Sequence, residues 1–124
     1  MPVFLHTRIR VGDLDRTIAW YRELGFACTD RLARSPQGNQ LAFLQIPGSA
    51  HALELCYQPG YKLVVPEDLM HTAVGYPDLS AKCAELEAKG YTIWPPDWRK
   101  IFSDGKRMAF VTDPDGYEVE LLEE

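Results

Sequence analysis

Cysteine is scarce in this chain, and an odd three without short paired spacing excludes a disulfide framework. Such usage fits a reducing cytosol. A basic excess is also missing. The net charge is −5, which leaves nothing to meet a phosphate backbone and argues against nucleic acid as a partner. No apolar run reaches spanning length, and Met1-Pro2-Val3 leads into a strand-like segment, not into a charged region followed by an apolar one. These absences predict a soluble, cytoplasmic protein with no membrane partner. What remains is 124 residues at 46% hydrophobic, enough for one globular domain with a buried core.

The chain repeats itself. His6-Thr-Arg-Ile-Arg-Val-Gly-Asp-Leu14 returns 65 residues later as His71-Thr-Ala-Val-Gly-Tyr-Pro-Asp-Leu79. At the same offset Ala19 meets Ala84, Gly25 meets Gly90 and Phe26 meets Tyr91. Near the end of each copy, Leu53-Glu54-Leu55 is echoed by Val119-Glu120-Leu121, 66 residues on. A two-fold repeat points to two modules that share one core.

Each copy spells the same order of elements. Leu5, Thr7, Ile9 and Val11 alternate with His6, Arg8 and Arg10, as in a half-buried strand. Asp13 caps a helix whose Leu14, Ile18, Tyr21 and Leu24 recur at helical spacing up to Gly25. Strands follow over 26–34, 40–46 and 51–57, with Leu53, Leu55 and Tyr57 on one face and Ala52, Glu54 and Cys56 on the other. The second copy gives a strand over 71–76 and a helix capped by Asp78 with Leu79, Cys83 and Leu86 as its stripe. Further strands are expected over 91–94, 106–112 and 117–122, with a long loop from Pro95 to Gly105 and a tight turn at Asp113-Pro-Asp-Gly116. The expected fold is therefore α+β: two tandem βαβββ modules, residues 1–58 and 70–124, joined by a Pro- and Gly-bearing linker over 59–69. The sheets should form half-barrels, a curved mixed sheet with the helices on its outer face.

Each module carries one His and one Glu on the strand face away from its helix. Taken singly, any of the four reads as a surface residue. In register, on strands otherwise apolar, His6, Glu54, His71 and Glu120 read as a mixed nitrogen and oxygen ligand set. Two imidazoles and two carboxylates suit nickel, cobalt, zinc, iron or manganese and suit Cu(I) poorly. Pseudo-two-fold pairing of the modules is expected to bring them to one point.

The pattern His6-x-x-x-Arg10-Val11-x-Asp13-Leu14, then Glu54-Leu55, then His71, then Asp113-Pro-Asp-Gly-Tyr117-x-x-Glu120-Leu121 resembles glyoxalase I (lactoylglutathione lyase), of the vicinal oxygen chelate superfamily. The resemblance covers nearly the whole chain. It implies a divalent metal on His6, Glu54, His71 and Glu120, nickel or cobalt because the chain is short, and a homodimer in which modules of two chains pair. It implies glutathione or a related thiol as co-substrate and a small-molecule substrate, the hemithioacetal of methylglyoxal, isomerised to a 2-hydroxyacyl thioester. Chelation of two adjacent oxygens would stabilise the enediolate. Glu120 is the expected base, released from the metal when substrate binds, with Glu54 its near-symmetric partner in catalysis. Arg10 matches an arginine that contacts a carboxylate of the thiol, and Gln58 stands where the family usually has Asn. Lys100, Lys106 and Arg107 are candidates for the other carboxylate, or a solvated loop. Arg8 is a further anion contact or a surface charge. Trp94 and Trp98 are pocket walls or core, Cys56 is a small buried filler, and His51 an exposed strand start. Two other readings compete. One is another metal-dependent enzyme of the superfamily, such as an acyl-CoA epimerase. The other is a resistance-type protein that sequesters a small molecule and has no need of four ligands.

Overall fold

The structure is a computed structural model that describes residues 1–124. The chain divides into two compact units, Met1–Val64 and Val65–Glu124. Each unit is a small sheet with a helix packed on one face.

In the first unit, strand β1 (His6–Arg10) leads through Gly12 into helix α1 (Leu14–Arg22). Asp13 starts the helix as expected: its Oδ1 accepts from the Arg16 amide at 2.9 Å. Leu14, Thr17, Ile18 and Tyr21 form the buried stripe. Gly25 stops the helix with φ +112, and the Phe26 amide closes onto the Tyr21 carbonyl at 3.2 Å. A side chain at Gly25 would be strained by that backbone. Strands β2 (Ala27–Leu32), β3 (Gln40–Gln45) and β4 (Ala52–Tyr57) complete the unit. The sheet order is β1-β4-β3-β2; β1 runs parallel to β4 and the other pairs are antiparallel. Helix α1 packs on β2, β3 and β4, over Ala42, Leu44, Leu53 and Leu55, each nearly or fully buried. Ile9 and Val11 join this core, but Leu5 does not: it is 65% exposed. Pairing with β4 begins at His6 opposite Ala52, so Leu5 falls beyond the end of the strand.

The second unit follows the same plan with β5 (His71–Tyr76), α2 (Leu79–Ala88), α3 (Trp98–Ser103), β6 (Met108–Thr112) and β7 (Glu118–Glu123). Its sheet order is β5-β7-β6, with β5 parallel to β7. Asp78 caps α2, accepting from the Ala81 amide at 3.0 Å, and Leu79, Cys83 and Leu86 are fully buried. The turn into β7 is held by a buried carboxylate. Asp113 Oδ1 accepts from the amides of Asp115, Gly116 and Tyr117 at 2.9, 3.0 and 2.9 Å.

Two expectations for this unit are corrected. The strand over 91–94 shrinks to one bridge, Trp94 to Phe110, with bonds of 2.9 and 2.8 Å. Pro95 and Pro96 follow at once and have no N–H with which to extend the ladder. The loop from Pro95 to Gly105 contains α3. Its Trp98 and Phe102 lie one turn apart, both buried, with ring centroids 5.2 Å apart. The Trp98 indole donates to Glu87 at 3.1 Å, which ties α3 to α2. That hydrogen bond also holds the Glu87 carboxyl below the usual carboxylate range. Trp98 is thus core.

Neither sheet closes on itself. Each leaves its first strand, β1 or β5, as an edge beside the strand that carries the glutamate.

Candidate functional site

In the first unit the site grows from the parallel register of β1 on β4. That register sets Arg8 opposite Glu54 and His6 one step earlier, opposite Ala52. His6, Arg8 and Glu54 share the face away from α1. Glu54 Oε2 lies 3.0 Å from His6 Nε2. Its other oxygen, Oε1, accepts from Arg8 Nε. The Glu54 side chain is only 4% exposed, while those of His6 and Arg8 are 41% exposed. A carboxylate so buried needs charged or hydrogen-bonded partners, and both of its oxygens have one. Phe43, paired with Glu54 across β3, sets its ring edge-on to His6 with centroids 5.7 Å apart.

The second unit repeats this geometry. Glu120 lies opposite Ala73, and His71 opposite Glu118. His71 Nε2 is 3.5 Å from Glu120 Oε1. Phe110 pairs with Glu120 across β6 and turns its ring edge-on to His71, with centroids 5.8 Å apart. Here the glutamate side chain is 17% exposed, and His71 is its one polar partner. A cleft of about 540 Å³ opens on this unit, lined by Glu67, Asp68, Trp94, Phe110, Thr112 and Glu118. Trp94, 59% exposed, is therefore a wall of the cleft.

The structure gathers the four candidate ligands as two His–Glu pairs, one in each unit. No three His, Cys, Asp or Glu side chains lie together as a cluster. The pairs fit a metal in chemistry and in spacing. Two ligands held about 2.1 Å from one ion at a right angle lie about 3 Å apart, close to the observed 3.0 and 3.5 Å. Metal-binding carboxylates are commonly steadied by a donor on the free oxygen, the place Arg8 takes on Glu54.

Arg10 and Gln58 are brought together. The Arg10 guanidinium stacks 4.2 Å from the centre of the Tyr61 ring, and its Nη1 donates to Gln58 Oε1 at 3.5 Å. The three basic candidates of the second unit are spread out. Lys100 lies on the exposed side of α3 and Lys106 in the exposed segment after it. Arg107 pairs with Glu123 at 3.2 Å, and Glu123 also accepts from the first amide of α2. Cys56 is buried, as a small filler should be. His51 is more than a strand start. It stacks on Phe4 with centroids 4.3 Å apart and bonds Thr7 Oγ1 at 2.9 Å.

Sequence reasoning missed two features of the site. Arg8 shares its face with His6, but its contact with Glu54 depends on the β1–β4 register, which no local pattern reveals. The Phe43 and Phe110 rings had a usable signal, since they sit 67 residues apart, nearly the offset of the glutamates.

Each unit of this topology thus presents one His–Glu pair from its first and last strands. The profile of the Glyoxalase/Bleomycin resistance protein/Dioxygenase superfamily matches residues 3–121, and the chain belongs to that superfamily. Among its relatives is the lactoylglutathione lyase of Haemophilus influenzae, 35% identical over 96% of this chain and 90% of that protein. That of Escherichia coli O157:H7 is 32% identical, covering 97% and 91%. Among solved structures, the trypanothione-dependent glyoxalase I of Leishmania major superposes with a TM-score of 0.82 at 35% identity. The match covers all of this chain and 88% of that one. The chain is accordingly a glyoxalase I-like enzyme.

Proposed function

We propose that this enzyme isomerises the hemithioacetal of methylglyoxal and glutathione, or of a related thiol, to the 2-hydroxyacyl thioester, S-lactoylglutathione in the first case. The observation that carries the reading is the duplicated His–Glu pair at one register position of each sheet, in a chain whose relatives are lactoylglutathione lyases. His6, Glu54, His71 and Glu120 are the proposed ligands of a divalent metal, nickel or cobalt before zinc, iron or manganese. Such an ion supplies Lewis-acid stabilisation of negative charge developing on two adjacent oxygens.

The chain's own residues do the rest. Glu120 is the base that moves a proton between neighbouring carbons. It suits the task better than Glu54, because it is less buried and has fewer partners. Arg10, steadied by Tyr61 and Gln58, offers a guanidinium to a carboxylate of the thiol. Gln58 adds an amide beside it, and Lys100, Lys106 and Arg107 are proposed for the other carboxylate. We place the enzyme in the cytoplasm as a homodimer. Three free thiols and the absence of a helix long and apolar enough to cross a membrane are compatible with that location.

The test is to load the purified protein with nickel or cobalt and follow thioester formation from the hemithioacetal. Turnover is expected, along with about one bound ion per chain. His6→Ala and His71→Ala should each strip the metal. Metal-loaded protein that leaves the hemithioacetal unchanged overturns the proposed reaction, and full metal retention in both variants overturns the ligand set.

A further inference from the structure

Glu54 and Glu120 occupy equivalent places, yet the residue opposite each differs. Opposite Glu54 is Arg8; opposite Glu120 is the exposed methyl of Ala73. We infer that Arg8 is a positioning residue that makes Glu54 the permanent metal ligand and leaves Glu120 as the carboxylate free to release the ion and carry the proton. This inference rests on the function proposed above and goes beyond it by giving Arg8 the task of holding Glu54 in place.

The geometry supports the assignment from both sides. Glu54 is held at Oε1 by Arg8 Nε within a nearly closed environment, which leaves Oε2, 3.0 Å from His6 Nε2, to face the ion. Rotating this carboxylate would break a charge-assisted hydrogen bond where water cannot replace it. Glu120 has one partner at 3.5 Å and a wetter side chain, so its second oxygen turns at little cost. The Arg8 side chain makes no other hydrogen bond or ion pair, so its visible task is the hold on Glu54 and not a tie elsewhere in the fold. A guanidinium also keeps its charge throughout the working pH range, so the hold does not lapse.

The experiment titrates cobalt(II) into the purified protein, reading affinity from the visible spectrum of the bound ion without substrate, and then measures turnover at saturating cobalt. The variants are R8Q, R8K and the exchange R8Q/A73R, each alone and with E54Q or E120Q. Arg8 and Ala73 are both partly or largely exposed, so the replacements can be accommodated. R8Q should weaken cobalt binding by about ten- to a hundredfold, the usual cost of losing a partner of a ligand. R8K should recover only part, since a point charge lacks the planar fork. In the parent, E54Q should mainly cost affinity and E120Q mainly cost turnover; in the exchange variant these should trade places. Cobalt binding by R8Q equal to the parent's, or an exchange variant that keeps the parent's order, overturns the assignment of Arg8. A parent that binds no cobalt overturns this inference and the proposed ligand set together. A parent that binds cobalt but leaves the hemithioacetal unchanged overturns the reaction alone; the R8Q affinity still decides the role of Arg8.

Discussion

The two units are best understood against each other. They agree at three places on the face away from the helix: His6 with His71, Phe43 with Phe110, and Glu54 with Glu120, in matching cross-strand register. They disagree at the positions between. Arg8 and Arg10 on β1 correspond to Ala73 and Gly75 on β5, and Ala52 on β4 corresponds to Glu118 on β7. The first unit therefore presents cations around its pair, and the second presents carboxylates and an aromatic cleft. What the units share is a His–Glu pair with an aromatic backstop. What they do not share is charge, and charge is what sorts otherwise identical groups into different work.

The largest expected effect separates the two glutamates. With metal restored to full occupancy, Glu120→Gln should lower turnover by about a hundred- to ten-thousandfold, the range typical of losing a general base. Glu54→Gln under the same conditions should lose far less turnover. Kinetics at saturating metal decide, and near-equal losses would make the two units chemically equivalent.

The next effect probes where the units should behave alike. Leu55 and Leu121 lie 66 residues apart, one behind each glutamate, and both are fully buried. Replacing either with Ala should cost about 2–5 kcal/mol of stability by denaturant titration. A cost below about 1 kcal/mol at one site only would show that its core collapses around the gap.

Much of this likeness was legible before any coordinates. The repeated His-Thr and Asp-Leu ends located both helix caps, and period-two alternation placed Glu54 and Glu120 away from the core. Other features were hidden for physical reasons. Tyr91 to Trp94 carries strand-forming residues, but whether a ladder forms depends on the prolines that follow. Trp98 and Phe102 sit inside a segment dense in proline and charge, which masks their one-turn spacing. The Arg8–Glu54 contact joins residues 46 apart, and only the strand register reveals it. Leu5 fits the alternation but lies just past the end of the strand.

A smaller effect concerns the helix caps. Asp13 and Asp78 each accept from the amide three residues on, at 2.9 and 3.0 Å. Asp13→Ala and Asp78→Ala should each cost about 1 kcal/mol by thermal or chemical unfolding. Equal costs are expected, since the two caps make the same hydrogen bond.

The last effect appears only at high pH. Cys83 in α2 takes the place that Ile18 takes in α1, and burial pushes its thiol from 9.0 up to about 11. The neutral thiol is the form the fold accepts. Its stabilising contribution is complete below pH 9 and fades as pH rises through about 11. Cys83→Val should flatten the decline in stability over that window. An unchanged slope would assign the decline to other groups.

The difference at Arg8 and Ala73 also bears on the chain's history. In an assembly built from identical copies of one short module, a single coding sequence writes the same residue at both positions. Arginine would stand beside both glutamates or beside neither. Once two copies were encoded separately, a substitution could reach one glutamate and spare the other. Two tandem copies in one chain carry separate mutational records, and the difference between Arg8 and Ala73 is of the kind such records hold.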